Sequence, residues 1–130
     1  MQGISSPRVD LEALVGALGV KHIEAVDGYN VEDLGAALKR AVENPEIAVV
    51  IPRRPCALMP KKQYYKTLTV NLDTCIGCHT CVKVGCPSIS LSDELTPKGR
   101  NKSNIDPLTC IGCTVCQQVC PVGAIVDLEV

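Results

Sequence analysis

Cys75, Cys78 and Cys81 stand at intervals of three and are followed by Cys86-Pro87. Cys110, Cys113 and Cys116 repeat that spacing and are followed by Cys120-Pro121. Eight of the nine cysteines fall in this stretch. Cysteine ligates metal as the thiolate, and triplets of this spacing completed by a distant Cys-Pro are the ligand run of four-iron, four-sulfide clusters. A cubane of four irons needs four thiolates arriving from tetrahedral directions. A loop with cysteine at every third position supplies three of them from one side. Gly77 and Gly112 let each loop take positive φ, so that backbone N–H groups turn toward the cluster sulfurs. Such donors stabilise an anionic cluster and help set its potential.

The fourth cysteine sits too near its own triplet in sequence to close the cage easily, so it is expected to serve the other cluster. Cluster one is then held by Cys75, Cys78, Cys81 and Cys120, and cluster two by Cys110, Cys113, Cys116 and Cys86. This crossed connectivity pins the two halves together and makes metal binding and folding one event. The first copy has one residue more between Cys81 and Cys86 than the second has between Cys116 and Cys120. Gly85 is the natural insertion and is expected to lengthen the helical turn before the fourth ligand. Structural zinc is the competing reading, because C-x2-C pairs also build four-thiolate sites. Zinc motifs, however, use two pairs, not two triplets each followed by Cys-Pro. His79 reads as a loop residue, since each site already has four thiols.

The elements around the cysteines follow the same duplication. Thr67-Leu68-Thr69-Val70 reads as a short strand leading into Asp73-Thr74-Cys75. Thr-Cys-Ile-Gly-Cys recurs at Cys110, and each copy leaves its Cys-Pro into a short apolar strand, Ser88 to Leu91 and then Ala124 to Leu128. Neither copy is large enough to stand alone. Lys98 to Lys102, with Gly99 and Asn101, reads as a polar, solvated turn between the copies.

Residues 1–60 follow a different logic. Leu11, Leu14, Val15 and Leu18 mark one face of a short helix, with Asp10 as N-cap and Gly19 as stop. His22 to Val26 reads as a strand, and Asp27-Gly28-Tyr29-Asn30 as a turn plus the cap of a second helix. The apolar stripe of that helix is Leu34, Leu38, Ala41 and Val42, and Asn44-Pro45 ends it. Ile47 to Ile51 is a continuous apolar run, as in a strand covered on both faces of a parallel sheet. Two strands and two helices joined by one right-handed crossover are too little for an independent α/β domain, so further polypeptide is expected to complete the sheet. Gly16 and Gly19 form no phosphate loop, His22 is an ordinary strand residue, and no catalytic constellation is found. Pro52 to Lys62 is a hinge by composition, its basic pairs solvated and its Cys56 a small packed hydrophobe.

Composition narrows the classes. Hydrophobic residues make up 46%, yet there is no Phe or Trp and only three Tyr, so any core is aliphatic. The net charge of −1 gives no reason to propose nucleic acid or a membrane surface as partner. No apolar run approaches the ~20 residues that span a bilayer. No signal peptide opens the chain, so the cytoplasm is the expected compartment, where reduced thiols suit metal rather than disulfides. The expected fold class is α+β: duplicated β-α-β units carrying two clusters (61–130), preceded by an incomplete α/β segment (1–60).

Cys-Ile-Gly-Cys…Cys-Val-Lys-Val-Gly-Cys-Pro-Ser-Ile and Cys-Ile-Gly-Cys…Cys-Gln-Gln-Val-Cys-Pro-Val-Gly-Ala-Ile resemble the carboxy-terminal, bacterial-type two-[4Fe-4S] ferredoxin domain of the indolepyruvate (2-oxoacid):ferredoxin oxidoreductase family. Val-Val-Ile-Pro-Arg-Arg-Pro-Cys-Ala-Leu and Val-Asp-Leu-Glu-Ala-Leu-Val…Leu-Gly-Val are similar to the end of that family's thiamine-diphosphate-binding domain. The resemblance implies oxidative decarboxylation of aryl 2-oxo acids on thiamine diphosphate. Electrons then pass through the two [4Fe-4S] clusters to an external ferredoxin, with this chain as the wire. The Gly-Asp-Gly…Asn element that binds magnesium and diphosphate in such enzymes is missing here. Thiamine and Mg are therefore expected only in the complete enzyme, and the remaining polypeptide of the oxidoreductase is the expected partner. A stand-alone ferredoxin-like carrier with an N-terminal docking extension is the alternative, and a regulatory or scaffold module a third. Residues 61–130 carry seven basic and six acidic residues. A carrier steered by electrostatics is usually more lopsided, which favours the first reading.

Overall fold

The computed structural model describes residues 8–55 and 66–128. The chain divides into two units, Met1–Arg54 and Pro55–Val130. The boundary expected at residue 60, Cys56 and Lys61-Lys62 lie outside the described residues.

The first unit runs α1 (Leu11–Ala17), β1 (His22–Asp27), α2 (Val31–Glu43) and β2 (Ala48–Arg53). Asp10 caps α1, its Oδ1 accepting from the backbone N–H groups of Glu12 and Ala13 at 3.0 and 3.1 Å. Gly19 follows the helix at φ +92°, a conformation that suits glycine at a helix end. The Asp27–Asn30 segment is the turn and cap the sequence suggests. Asp27 Oδ1 accepts from Tyr29 N–H, and Asn30 Oδ1 accepts from Asp33 N–H at 3.1 Å. β1 and β2 pair in parallel, His22 opposite Ala48 through Asp27 opposite Arg53, and α2 connects them.

Three expectations are corrected in this unit. The face of α2 turned from solvent carries Leu34, Ala37 and Ala41, with Ala37 fully buried, whereas Leu38 and Val42 are 50% and 85% exposed. An i, i+3, i+7 row built on small residues brings the helix close to the sheet, and the two larger side chains fall outside it. Ile47 precedes β2 and is exposed. Arg53 and Arg54 are not simply solvated. Arg53 pairs with Glu12 at 3.6 Å, and Arg54 pairs with Asp27 and lies 4.6 Å from the centre of the Tyr29 ring. His22 is a strand residue whose Nε2 lies 3.1 Å from Glu46 Oε2.

The second unit contains β3 (Leu68–Val70), a 3₁₀ turn (Val82–Val84), β4 (Ile89–Leu95), β5 (Asn101–Ile105), α3 (Val115–Gln118) and β6 (Ile125–Asp127). β3 pairs antiparallel with β6, and β4 with β5. Leu68, Ile105 and Ile125 form the core together with the side chains of Cys81 and Cys116. The stretch read as a solvated turn ends as a strand. Asn101 and Lys102 are half-buried in β5, and Asn101 Nδ2 donates to the Ser92 carbonyl at 2.9 Å. The turn itself is tighter, closed by Gly99 N–H on the Thr96 carbonyl at 2.8 Å. β4 correspondingly extends past Leu91 to Leu95, with a register shift between them.

Gly85 also acts differently from the expectation. The turn before Cys86 is three residues of 3₁₀ helix, and Gly85 closes it at φ +74°, whereas the second copy forms the four-residue α3. The extra residue reverses the chain; it does not lengthen the helix.

Candidate metal centres

Each triplet is launched by the same local device. Asn71 Oδ1 accepts from the N–H groups of Asp73 and Thr74, and the Asn71 carbonyl accepts from Cys75 N–H at 3.1 Å. At the corresponding place in the second copy, Asp106 Oδ1 accepts from Leu108 N–H and the Asp106 carbonyl accepts from Cys110 N–H, again at 3.1 Å. These short Asx turns fix the chain entering the first cysteine.

The loops then take positive φ twice. Gly77 and Gly112 do so at +62° and +65°, as the chemistry requires. His79 and Thr114 do so as well, at +60° and +64°. Nothing in the residue types announces this second pair, since a β-branched threonine is an uncommon occupant of that region. His79 is held there from outside its loop: its Nε2–H donates to the Asn101 carbonyl of β5 at 2.7 Å. That nitrogen is thereby engaged with backbone.

The cysteines sort into two sets. Cys75, Cys78, Cys81 and the distant Cys120 line one cavity, closed on its sides by Val70, Ser103 and Ile125. Cys116 lies among Cys113, Cys110 and Cys86: burial first, and then those three sulfurs, push its thiol up to about 11. The first triplet is thus brought to Cys120 around one cavity, and Cys116 of the second triplet lies near enough to Cys86 to feel its charge. Donors already face several of the sulfurs. Ala124 N–H donates to Cys120 Sγ at 3.3 Å, and the Thr80 hydroxyl donates to Cys78 Sγ at 3.5 Å. The Thr80 hydroxyl holds the Cys78 thiol below its ordinary range.

This donor set fits an iron–sulfide group. Four thiolates in one apolar pocket repel one another and lose hydration, so they ionise together only around positive charge. Among the described residues, no three His, Cys, Asp or Glu side chains are gathered as tightly as one bare ion requires. Sulfurs on a single zinc stand about 3.8 Å apart, given Zn–S bonds of ~2.3 Å. A cubane is several atoms wide and asks for sulfurs set farther apart than that.

Close packing around Gly77 makes a testable distinction between glycines. A Cβ on Gly77 would stand 2.8 Å from the Asn101 carbonyl oxygen and 3.0 Å from Arg100 Cβ, whereas one on Gly85 would meet nothing within 4 Å. Both have left-handed φ, so each alanine carries a backbone cost of about 1–2 kcal/mol. Gly77→Ala adds a backbone clash within the first triplet and is expected to exceed that cost clearly. Anaerobic denaturant titrations of the two variants should therefore show Gly77→Ala losing more stability; the reverse order would contradict this packing.

Residues 74–124 match the family described as the 4Fe-4S dicluster domain. This part of the chain is a dicluster ferredoxin domain and holds two iron–sulfur clusters. The particular relatives extend the likeness over both units. The chain is 36% identical over 124 residues to the indolepyruvate oxidoreductase subunit IorA of Methanothermobacter thermautotrophicus, covering 95% of this chain and 19% of that protein. It is 35% identical to IorA of Pyrococcus horikoshii, covering 90% and 18%. A shorter match, 60% over 30 residues, is to a component of the ion-translocating oxidoreductase complex of Thiobacillus denitrificans and covers 23% of this chain and 16% of that protein. The resemblance to the indolepyruvate oxidoreductase family read from the motifs therefore runs through almost the whole chain, which spans about a fifth of the length of these IorA relatives. Among the described residues no helix is long and apolar enough to cross a membrane.

Proposed function

We propose that this chain is the electron-transfer part of a thiamine-dependent indolepyruvate (2-oxoacid) oxidoreductase, passing electrons from the decarboxylation site to an external ferredoxin. Cluster one belongs to Cys75, Cys78, Cys81 and Cys120, and cluster two to Cys110, Cys113, Cys116 and Cys86. The observation that carries this reading is the gathering of Cys120 with the first triplet around one cavity. When bound, the clusters supply reversible one-electron chemistry. The protein's own residues do the rest. Leu68, Ile105 and Ile125 keep water from the sulfurs, while Ala124 N–H and the Thr80 hydroxyl offset negative charge on Cys120 and Cys78. Cys81 and Cys116, one from each set, share that same core, so the two centres are joined through packed side chains rather than through solvent. The matching backbone at the two triplets supports descent of the unit from a duplicated β-α-β element. The thiamine and its magnesium belong to polypeptide beyond these residues.

A stand-alone carrier is the second reading. Against it stands the likeness to IorA through the α1–β2 unit, which a free ferredoxin has no use for. Anaerobic affinity purification tests the choice. The chain is expected to bring down a polypeptide that binds thiamine diphosphate and, with it, to reduce ferredoxin when indolepyruvate and coenzyme A are added. A monomer that shuttles electrons between unrelated enzymes, with no thiamine-binding partner, would refute the proposal.

A further inference from the structure

Ser103 has no part in the ligand set, yet its side chain is the polar group most deeply placed beside it. It lies on β5, paired in register with Leu91, and is 2% exposed. Its Oγ stands 3.2 Å from the Sγ of Cys81, itself 7% exposed, and it lines the same cavity as Cys75, Cys78 and Cys120. As a thiol, Cys81 can donate to that oxygen. As a cluster ligand it is a thiolate with no proton to give, so the hydroxyl becomes the only donor of the pair.

From this geometry we infer that Ser103 is a positioning residue for cluster one. Its hydroxyl donates to the Cys81 sulfur and raises the reduction potential of that cluster relative to cluster two. The inference rests on the crossed ligand assignment proposed above. A hydrogen bond to a ligand sulfur favours the more negative, reduced state, and hydrogen bonding to sulfur is one of the protein's main levers on cluster potential. Burial strengthens the effect, because no water competes for the sulfur and the local dielectric is low.

The sequence explains why only one cluster benefits. Ser103 stands as far before Cys110 as Leu68 stands before Cys75, so the two occupy equivalent places in the two copies. Leu68 is 1% exposed and offers no donor. A serine among Asn101, Lys102 and Asn104 looks like one more polar loop residue. Only the pairing of β5 with β4 turns its hydroxyl inward.

Three variants test the inference: Ser103→Ala, Ser103→Thr and Ser103→Val. Threonine and valine have nearly the same shape and suit a strand, but only threonine keeps the hydroxyl. Iron is counted first, then both midpoint potentials are measured anaerobically. Contact-shifted Cys β-proton resonances identify each cluster by its ligands. Ser103→Thr is expected to keep both potentials near those of the unaltered chain. Ser103→Ala and Ser103→Val are expected to change the oxidised-to-reduced ratio of cluster one about tenfold at fixed potential, a fall of about 59 mV for one electron. The Cys81 β-protons should move with it, and cluster two should not change. Equal potentials in the threonine and valine variants overturn the inference, as does a shift confined to cluster two. Loss of cluster one from both alike makes Ser103 a matter of space and also overturns it. If the unaltered chain itself lacks about eight irons, the ligand assignment fails instead.

Discussion

Chelating the iron from the anaerobic, reduced protein is expected to unfold the second unit outright, with loss of amide-exchange protection across β3 to β6. The reason is how little else holds it. Among its described residues the core cluster is Leu68, Cys81, Ile105, Cys116 and Ile125, and two of those five side chains are the proposed cluster ligands Cys81 and Cys116. Among the described residues β3 and β6 are three residues each, and each sheet has two strands. An isolated two-stranded sheet is marginal in water, and a segment below about 70–80 residues seldom builds a sufficient core alone. No Phe or Trp is present to enlarge it. Metal binding in small metal-organised domains supplies on the order of 10 kcal/mol, comparable to the whole stability of an ordinary domain. Hydrogen exchange followed by mass spectrometry on the intact chain reads the outcome. Protection of residues 68–70 and 125–127 that survives iron removal would contradict it.

Exchanging a single fourth cysteine should empty the site of the other triplet. Cys86 follows the first triplet, but its sulfur acts on Cys116, as those of Cys110 and Cys113 do. Cys120 leaves the second copy but shares a cavity with Cys75, Cys78 and Cys81. Cys86→Ala is therefore expected to lower bound iron to about half of about eight and to abolish the contact-shifted β-protons of Cys110, Cys113 and Cys116. Those of Cys75, Cys78, Cys81 and Cys120 should persist. Cys120→Ala should produce the mirror result. Loss of the first triplet's signals in Cys86→Ala would place each fourth cysteine with its own copy and defeat the crossed assignment.

Much of the site was legible because its chemistry dictates local spacing. Cysteines three apart, Gly77 and Gly112 at positive φ, and caps at Asp10 and Asn30 all follow from residue types acting over a few positions. β5 was not legible for the opposite reason. Asn101-Lys102-Ser103-Asn104 has no apolar alternation before Ile105, and becomes a strand only by pairing with β4. The left-handed backbone of His79 is equally hidden, since the carbonyl that holds it belongs to Asn101. On α2 the larger residues Leu38 and Val42 face solvent while Ala37 is buried, because a helix lying close on a sheet needs a small side chain at its contact. In each case a partner remote in sequence decided the outcome.

The most direct measurement is joint analysis of iron, acid-labile sulfide and zinc on oxygen-protected protein, with paramagnetic resonance of the reduced sample. Two cubanes held by eight thiolates predict about eight irons and about eight sulfides per chain, with spectra broadened by coupling between two neighbouring spins. Zinc in place of iron, or sulfur–sulfur bonds among the eight cysteines, would contradict that prediction.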